Sequence, residues 1–408
     1  MLYDLLIRNV RTETSATLVD IAVKDGLIAD IEPNFRCDAV TQTDAEGALA
    51  FGGFVESHIH LDKAGIFSRC RICDGTLAEA VRETARAKKE FTTEDVYDRA
   101  AKIVQKAISY GTTSMRTFVE VDPRAGLRSF DAILRLKADY AFAIDIDICA
   151  FAQEGLTQEP ETFALLDQAL SQGADLIGGC PYTDPEPRRH IEMIFELARK
   201  YDVDVDFHLD FDLNPSVTNL PAVIEETTRN GWGGRVSIGH VTNLSALSAE
   251  AVRDVGAQLS AAGIALTVLP ATDLFLNGRS YDKLVPRGVA PAHLLAECGV
   301  VTSVATNNVS NPFTPYGDAS LMRMANLYAN VAQLSRSEDL ERVFSMVTSS
   351  AAKLMRKSYG LSPGNDATIV LLDCASSTDA VREVARAIAG WKNGKQSFWH
   401  GRPKLFRP

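Results

Sequence analysis

The sequence has 408 residues, of which 46% are hydrophobic and 23% charged, values typical of a soluble globular protein with one large and one accessory domain. Its formal net charge is −11 and its pI about 5.2, which argues against nucleic acid or an anionic membrane as a partner. The sequence contains neither a long apolar run that would span a membrane nor a secretory signal pattern. We therefore expect a soluble protein that binds neither nucleic acid nor an anionic membrane.

Both ends of the chain have the pattern of short strands joined by turns. Asp25-Gly26 separates two alternating apolar runs near the N-terminus, and Asn393-Gly394 separates two strand-like segments near the C-terminus. Such dipeptides are strong hairpin signals. We predict one small β-sandwich domain formed by residues 1–52 and 360–408, with residues 53–359 as the second domain.

The middle of the chain alternates strands with helices. Eight strand candidates are present, at 54–60, 112–119, 142–151, 174–179, 202–208, 235–240, 264–270 and 300–306. Eight strands that alternate with helices predict an α/β fold of the (β/α)₈ TIM-barrel type. A doubly wound open sheet is the alternative, but it usually has a glycine-rich turn after its first strand, where this chain has "SHIHLDKAG".

Four of the seven histidines fall at the ends of predicted strands. His58 and His60 end the first strand, and their spacing of two places both side chains on one face. His208 ends the fifth strand and His240 the sixth. Because the C-terminal ends of barrel strands form the active-site face, these side chains should converge on a metal or acid/base site. Neutral imidazoles suit Zn²⁺ or Fe²⁺. The other histidines, which lie in helices or near the C-terminus, are interpreted as incidental: His190, His293 and His400.

The seven cysteines are scattered, which is typical of reduced thiols in a cytosolic protein. Cys70 and Cys73 form a C-x-x-C pattern, but no second pair accompanies it. We interpret them as ordinary loop cysteines.

The motifs together resemble the amidohydrolase superfamily, most closely its branch of cytosine deaminases and N-isopropylammelide amidohydrolases. The resemblance extends over nearly the whole chain, through the segments "FGGFVESHIHLDK", "FAQEGL", "GADLIGGCPY", "VDFHLD", "SIGHVTNL", "LPATDLFLNGR", "NPFTPYGDASL" and "SPGNDATIVLLD". It implies a barrel flanked by a β-sandwich from both termini and a homo-oligomeric assembly. The fourth strand lacks the lysine that bridges two ions in binuclear members, so a single ion is expected.

The resemblance also implies roles for individual residues. His58, His60 and His208 would hold one divalent ion, zinc or iron, and His240 would assist proton transfer. Gln153 would contact the ring of a heterocyclic substrate, and we add the hypothesis that Asn308 hydrogen-bonds the ring edge with it.

Two positions depart from the family pattern. Phe211 stands where cytosine deaminases have a glutamate three positions after the strand-five histidine. Asn307 stands where the family has the strand-eight aspartate that binds the metal and accepts the proton of water. The nearest carboxylate is Asp210, which would share the face of His208 if the strand continued. We therefore regard His240, Asp210 and Asn307 as the candidate catalytic residues.

Three functions remain open at this stage. The first is a metal-dependent hydrolase that attacks a C–N bond of a small nitrogen heterocycle, with His240 or Asp210 as the base. The second is a cyclic-amide ring opener, which the missing bridging lysine disfavours. The third is a metal-poor binding protein that has lost hydrolysis, which Asn307 and Phe211 favour. Lys63 and Arg116 could orient an anionic or carbonyl-bearing substrate or form structural ion pairs.

Overall fold

The structure is a computed structural model that describes residues 2–15, 17–72 and 74–406. Its strands, in chain order, are β1 Leu2–Val10, β2 Val19–Lys24, β3 Leu27–Glu32, β4 Asp38–Asp44, β5 Leu49–Phe51, β6 Phe54–Ile59, β7 Thr112–Glu120, β8 Asp145–Ala152, β9 Leu176–Gly179, β10 Asp204–Leu209, β11 Val236–His240, β12 Ile264–Val268, β13 Thr302–Val304, β14 Ile369–Leu372, β15 Ala387–Lys392 and β16 Lys395–Trp399.

The helices lie mainly between the central strands. In chain order they are α1 Leu77–Ala87, α2 Thr93–Ser109, α3 Arg128–Asp139, α4 Pro160–Ser171, α5 Pro187–Tyr201, α6 Leu220–Asn230, α7 Ala249–Ala262, α8 Pro270–Leu276, α9 Ala292–Glu297, α10 Leu321–Val331, α11 Ser337–Ser345, α12 Ser349–Leu354 and α13 Ser377–Glu383. No helix in the described ranges is both long and apolar enough to cross a bilayer.

The two ends of the chain form two four-stranded sheets that pack on each other. One sheet has the order β3-β2-β1-β4, in which β1 and β4 are parallel, and the other has the antiparallel order β16-β15-β14-β5. Buried residues of both sheets share one core, as Ile21 and Ile369 illustrate. This confirms the β-sandwich. The predicted domain boundaries remain predictions.

Both predicted hairpins are present. Asp25 and Gly26 connect β2 to β3 with φ of 52° and 80°, and Asn393 and Gly394 connect β15 to β16 with φ of 50° and 74°. Positive φ at both central residues is characteristic of a type I′ turn, whose twist matches that of the flanking strands. Asn, Asp and Gly tolerate this conformation better than other residues.

The middle of the chain forms the predicted barrel. Strands β6 to β13 lie side by side in chain order and pair in parallel. The sheet closes between its first and last strands, where the backbone N–H of His60 donates to the carbonyl of Asn307 and the N–H of Asn307 donates to the carbonyl of His58, both at 2.8 Å. This closure places the His58–His60 segment directly beside Asn307.

Packing of the helices on the barrel follows from their apolar stripes. In α2, Val96, Ala100 and Val104 recur at a spacing of four, and all are buried against the barrel. The hydroxyl of Thr92 caps the helix by accepting from the N–H of Asp95. The cysteines of the described ranges are free thiols, whereas Cys73 lies outside those ranges.

Candidate active site

Three of the predicted metal ligands converge at the C-terminal end of the barrel. Nε2 of His58 lies 3.1 Å from Nε2 of His208, and Nε2 of His60 lies 2.9 Å from the same atom. Each ring is almost completely buried. The spacing of these nitrogens suits three ligands of one ion, because zinc–nitrogen bonds measure about 2.0–2.1 Å in a tetrahedral site.

Burial keeps these three imidazoles neutral. It lowers the pKa of His58, His60 and His208 well below the usual range, and neighbouring positive groups contribute in the same direction. A neutral imidazole has a free lone pair and is therefore a metal ligand. The close approach depends on Gly239, because a Cβ there would lie 3.0 Å from Cε1 of His58. The donor set thus fits a divalent ion.

His240 completes the polar cluster and is oriented by a carboxylate. Its Nδ1 lies 2.7 Å from Oδ1 of Asp273, which is fully buried at the start of α8. Burial raises the pKa of Asp273, an effect that His240 opposes. A ligand nitrogen of His240 lies within 4.8 Å of those of His58 and His208, so His240 also belongs to the potential metal site.

Asn307 faces the same cluster. Its Nδ2 lies 3.4 Å from Nε2 of His240, and its buried Oδ1 has no hydrogen-bond partner among the described residues. An unpartnered buried oxygen is costly, which makes this amide a candidate ligand or hydrogen-bond acceptor within the site. Asn307 and His240 both have positive φ, at 62° and 69°. Sparsely populated backbone conformations of this kind concentrate at functional sites.

The structure places Asp210 elsewhere, contrary to the predicted shared face with His208. Strand β10 ends at Leu209, and the backbone turns at Asp210 with a φ of 48°, so strand alternation no longer applies. The Asp210 carboxylate instead accepts hydrogen bonds from the Thr218 hydroxyl and from the backbone and side chain of Asn219. It organises the loop that leads into α6 and does not line the cavity of the site.

A small cavity lies beside the histidines. Gln153 and Asn308 are among the residues that line it, and their predicted contact with a substrate ring stays a prediction. Phe211 and Phe313 also line the cavity and belong to one apolar cluster. The ring of Phe211 meets the ring of His240 edge to face, with 4.7 Å between the ring centroids. A polar wall and aromatic rings suit a small planar molecule.

Lys63 reaches the cavity from a buried charge network. Its Nζ lies 2.5 Å from Oε1 of Glu120, whose other oxygen lies 2.8 Å from Nζ of Lys88. Lys88 also binds Asp122 and Glu154. Burial opposes ionisation of Glu120, but Lys63 and Lys88 outweigh it and lower its pKa to about 2. The three carboxylates resemble a cation site in geometry, and the Lys88 ammonium occupies that position itself.

Comparison with known proteins identifies the family. The model of the amidohydrolase family matches residues 71–398, most of the chain. This chain belongs to the amidohydrolase family. The amidohydrolase is similar to N-isopropylammelide isopropyl amidohydrolase of Pseudomonas sp. strain ADP, with 26% identity over 96% of each chain. It is also similar to pterin deaminase of Rhizobium rhizogenes, with 27% identity over 86% of this chain and 81% of the relative.

A solved structure supports the same placement. The structure of 5-methylcytosine deaminase from Klebsiella pneumoniae liganded with 5-fluorocytosine superposes with a TM-score of 0.94 and 27% identity over 99% of both chains. The resemblance inferred from the motifs is therefore confirmed, and the amidohydrolase is a hydrolase of carbon–nitrogen bonds other than peptide bonds.

Several buried polar residues of the site were not singled out from the sequence. Asp273 lies within the segment "LPATDLFLNGR", but its partner His240 is 33 positions away. Glu56 accepts hydrogen bonds from the backbone N–H groups of His58 and Thr306, and so links β6 to the end of β13.

Arg116, which the sequence did single out, forms a buried ion pair with Asp206 at 2.8 Å. This is the structural one of the two roles considered for it.

Replacement of Lys88 by methionine should destabilise the amidohydrolase. The change leaves Glu120, Asp122 and Glu154 close together without their shared cation, and breaking such a buried pair costs about 3–5 kcal/mol. Urea denaturation should show this loss, whereas Lys89→Met, a change at the exposed neighbouring position, should alter the free energy of unfolding by less than about 0.5 kcal/mol. Equal effects of the two changes would contradict the assigned network.

Replacement of Asp273 by asparagine should lower turnover about 10–100-fold, because the carboxylate fixes the orientation and tautomer of His240. Asp210→Asn is the matched control and should leave turnover nearly unchanged, since its carboxylate serves the loop before α6. Steady-state kinetics at equal metal content distinguish the two. A larger effect from Asp210 than from Asp273 would restore the catalytic role predicted from the sequence.

Proposed function

We propose that this amidohydrolase is a mononuclear metal-dependent deaminase of small, single-ring nitrogen heterocycles. The observation that carries the proposal is the convergence of the His58, His60 and His208 nitrogens beside the His240–Asp273 pair, at the wall of a small cavity. The names of the relatives support an amino- or amide-substituted ring as substrate.

The three histidines would hold a zinc or iron ion, which in such sites lowers the pKa of bound water towards neutrality and polarises the bond under attack. A single ion is proposed because the segment 174–182, which includes β9, contains no lysine that could bridge a second one.

The protein side chains supply orientation and proton transfer. Nδ1 of His240 is hydrogen-bonded to the carboxylate of Asp273, so Nε2 is the atom that accepts and returns a proton near the attacked carbon. Gln153 and Asn308 hydrogen-bond the ring edge from the polar wall. Phe211 and Phe313 pack on the ring and exclude water. The oxygen of water replaces the amino group on the attacked carbon and the C–N bond breaks, so the products are the oxo-substituted ring and ammonia or an amine.

A binding protein that has lost hydrolysis is the second candidate. Asn307 and Phe211 favour it, because both stand where the motifs of related deaminases have a carboxylate. No aspartate or glutamate among the described residues lines the cavity in their place. Asn cannot accept a proton near neutral pH, so the proton of water would pass to His240 alone in an active enzyme.

The decisive experiment combines metal analysis with a turnover panel. The purified protein should contain close to one equivalent of zinc or iron per chain and should release ammonia or amine from at least one of cytosine, ammelide and related single-ring compounds. Pterin, with two fused rings, should be a poorer substrate because of the small cavity. Absence of metal even after incubation with Zn²⁺ would contradict the proposed function and favour the metal-poor binding protein. Ligand binding with no turnover of any ring in a metal-loaded form would also defeat the proposed deaminase.

The remaining proposal concerns the assembly. We propose a cytoplasmic homo-oligomer, a suggestion that rests on the family resemblance. Light scattering that gave the mass of a single 44.4 kDa chain at micromolar concentration would overturn the homo-oligomer.

A further inference from the structure

Two loops that line the cavity are joined by one buried carboxylate. Gln153 begins the loop between β8 and α4, and Tyr182 lies in the loop between β9 and α5. Asp184, in the second loop, accepts hydrogen bonds from the backbone N–H groups of Leu156 at 2.6 Å and Thr157 at 3.0 Å, which lie in the first loop. The hydroxyl of Thr157 donates to the same carboxylate. A single side chain therefore links the loop of Gln153 to the loop of Tyr182.

His190 holds this carboxylate from the core of the protein. The imidazole lies near the start of α5, is completely buried, and has its Nδ1 3.1 Å from Oδ2 of Asp184. Burial lowers the pKa of His190, an effect that Asp184 opposes, so the neutral ring donates through Nδ1. Gly179 ends β9 and leaves the space for the ring, because a Cβ there would collide with Nε2 of His190. The position of the imidazole, and with it that of the carboxylate, is fixed by packing.

The charge of Asp184 allows it to serve several donors at once. Burial opposes its ionisation, but His190 and the N–H groups of Leu156 and Thr157 outweigh burial and hold the pKa of the carboxyl well below its usual range. An ionised carboxylate only accepts hydrogen bonds, with two oxygens. An asparagine at this position would keep one acceptor oxygen and place an NH₂ group among donors.

The linked loops fix Gln153 at its backbone and its side chain. Thr183, the residue before Asp184, donates from its hydroxyl to the backbone carbonyl of Gln153 at 3.0 Å. The Nε2 of Gln153 lies 3.4 Å from Sγ of Cys180, which follows β9 directly. The amide that faces the cavity therefore depends on the loop that Asp184 and His190 hold.

We infer that Asp184 and His190 are positioning residues, which hold the two loops so that Gln153 and Tyr182 face the substrate ring. The inference rests on the proposed function of the cavity and adds two residues, neither of which lines it. Gln153 would contact the ring in the ground state and the transition state alike. Loss of its position should consequently raise KM more than it lowers kcat.

Steady-state kinetics of the full-length, metal-loaded protein test this split. With cytosine or ammelide, whichever the wild type turns over faster, Asp184→Asn and His190→Leu should each raise KM about tenfold and change kcat less than about threefold. His190→Asn, whose Nδ2 can donate in place of Nδ1, should restore a KM close to that of the wild type. Metal content should be the same in all variants. A lower kcat with unchanged KM in both Asp184→Asn and His190→Leu would overturn the positioning role.

Asp175→Asn is the matched control. Asp175 also accepts from a backbone N–H of β8, that of Ile148 at 2.7 Å, but it precedes β9 and so lies towards the end of the barrel opposite the cavity. Its replacement should leave KM unchanged. A rise in KM as large as that of Asp184→Asn would mean that any loosening of β8 has this effect, and the assignment to Asp184 would fail.

A second readout needs no turnover. Cys180 and Cys149 are both fully buried and belong to one apolar cluster, but Cys180 contacts Gln153, whereas Cys149 lies within β8. Alkylation by iodoacetamide, followed by mass spectrometry, should modify Cys180 at least about tenfold faster in Asp184→Asn and His190→Leu than in the wild type, with Cys149 unchanged. Unchanged protection of Cys180 would overturn the inference. Equal acceleration at both thiols would indicate a general loss of packing and would overturn it as well.

The two readouts separate this inference from the proposed function. If the wild type turns over no heterocycle, the proposed deaminase fails, while the thiol comparison still decides whether Asp184 and His190 hold the loops. If the wild type is active and neither variant changes KM or the protection of Cys180, the inference fails and the deaminase stands.

Discussion

The variant in which His58 and His60 are both replaced by alanine should contain no stoichiometric metal and should lose turnover by about 10³-fold or more. A bound divalent ion contributes several kcal/mol of transition-state stabilisation, and each 1.36 kcal/mol corresponds to about tenfold in rate. Nε2 of His208 would then lack both neighbours that lie within about 3 Å of it, and the two imidazoles that remain, His208 and His240, would offer too few ligands to hold the ion.

A control with the same number of histidines removed is available. His293 lies in α9, where it contacts the Tyr328 hydroxyl, and His400 is exposed near the C-terminus. The double change His293→Ala with His400→Ala should retain both metal and turnover. Elemental analysis gives the metal content of the two double variants and steady-state kinetics gives their turnover. Circular dichroism verifies that both are folded. Stoichiometric metal in the His58/His60 variant would show that the ion binds elsewhere.

The histidine cluster could be predicted from the sequence because strand ends determine where side chains meet. The barrel pattern gave each histidine a position on a strand, and parallel strands bring their C-terminal ends to one face. His58, His60, His208 and His240 accordingly lie together, with Gln153 and Asn307 at the same cavity. The predicted roles of these side chains await the experiments above.

Asp210 shows where this reasoning ends. The alternation rule was extended one residue beyond Leu209, the last residue of β10, and a single left-handed residue was enough to direct the carboxylate into the following loop. Side-chain direction after a strand depends on the loop conformation, which a period of two does not describe. Strand alternation therefore does not predict the side-chain direction of a residue that follows the end of a strand.

Asp273 and Lys88 show a second limit. Each is distant in sequence from its partner, by 33 positions to His240 and by 32 to Glu120, and only the closed barrel brings the pairs together. The segment around Lys88, "ARAKKE", has the composition of an exposed helix end, yet Lys88 is buried whereas Lys89 is exposed. Glu120 offered a signal, since it is a carboxylate at the end of the second barrel strand.

Replacement of Asn307 by aspartate should tighten metal binding and raise turnover, by up to about 10²–10⁴-fold if the new carboxylate acts as a well-placed base. Aspartate tolerates the left-handed backbone of residue 307 as asparagine does, so the change should not disturb the barrel closure through His58 and His60. The carboxylate adds negative charge beside neutral imidazoles, which strengthens a cation site.

Asn308→Asp is the matched control for this change, because it adds the same charge one residue further along. Its oxygen would still accept from Asn311, so metal affinity should stay nearly constant. Competition with a chelator measures metal affinity in both variants, and ammonia release measures turnover.

If the wild type is a binding protein, Asn307→Asp should give a trace of deamination where the wild type gives none, and more when combined with Phe211→Glu. If wild-type turnover is high and is retained in Asn307→Ala but lost in His240→Ala, proton transfer is assigned to His240. Unchanged metal affinity in Asn307→Asp would mean that the side chain of residue 307 does not reach the ion.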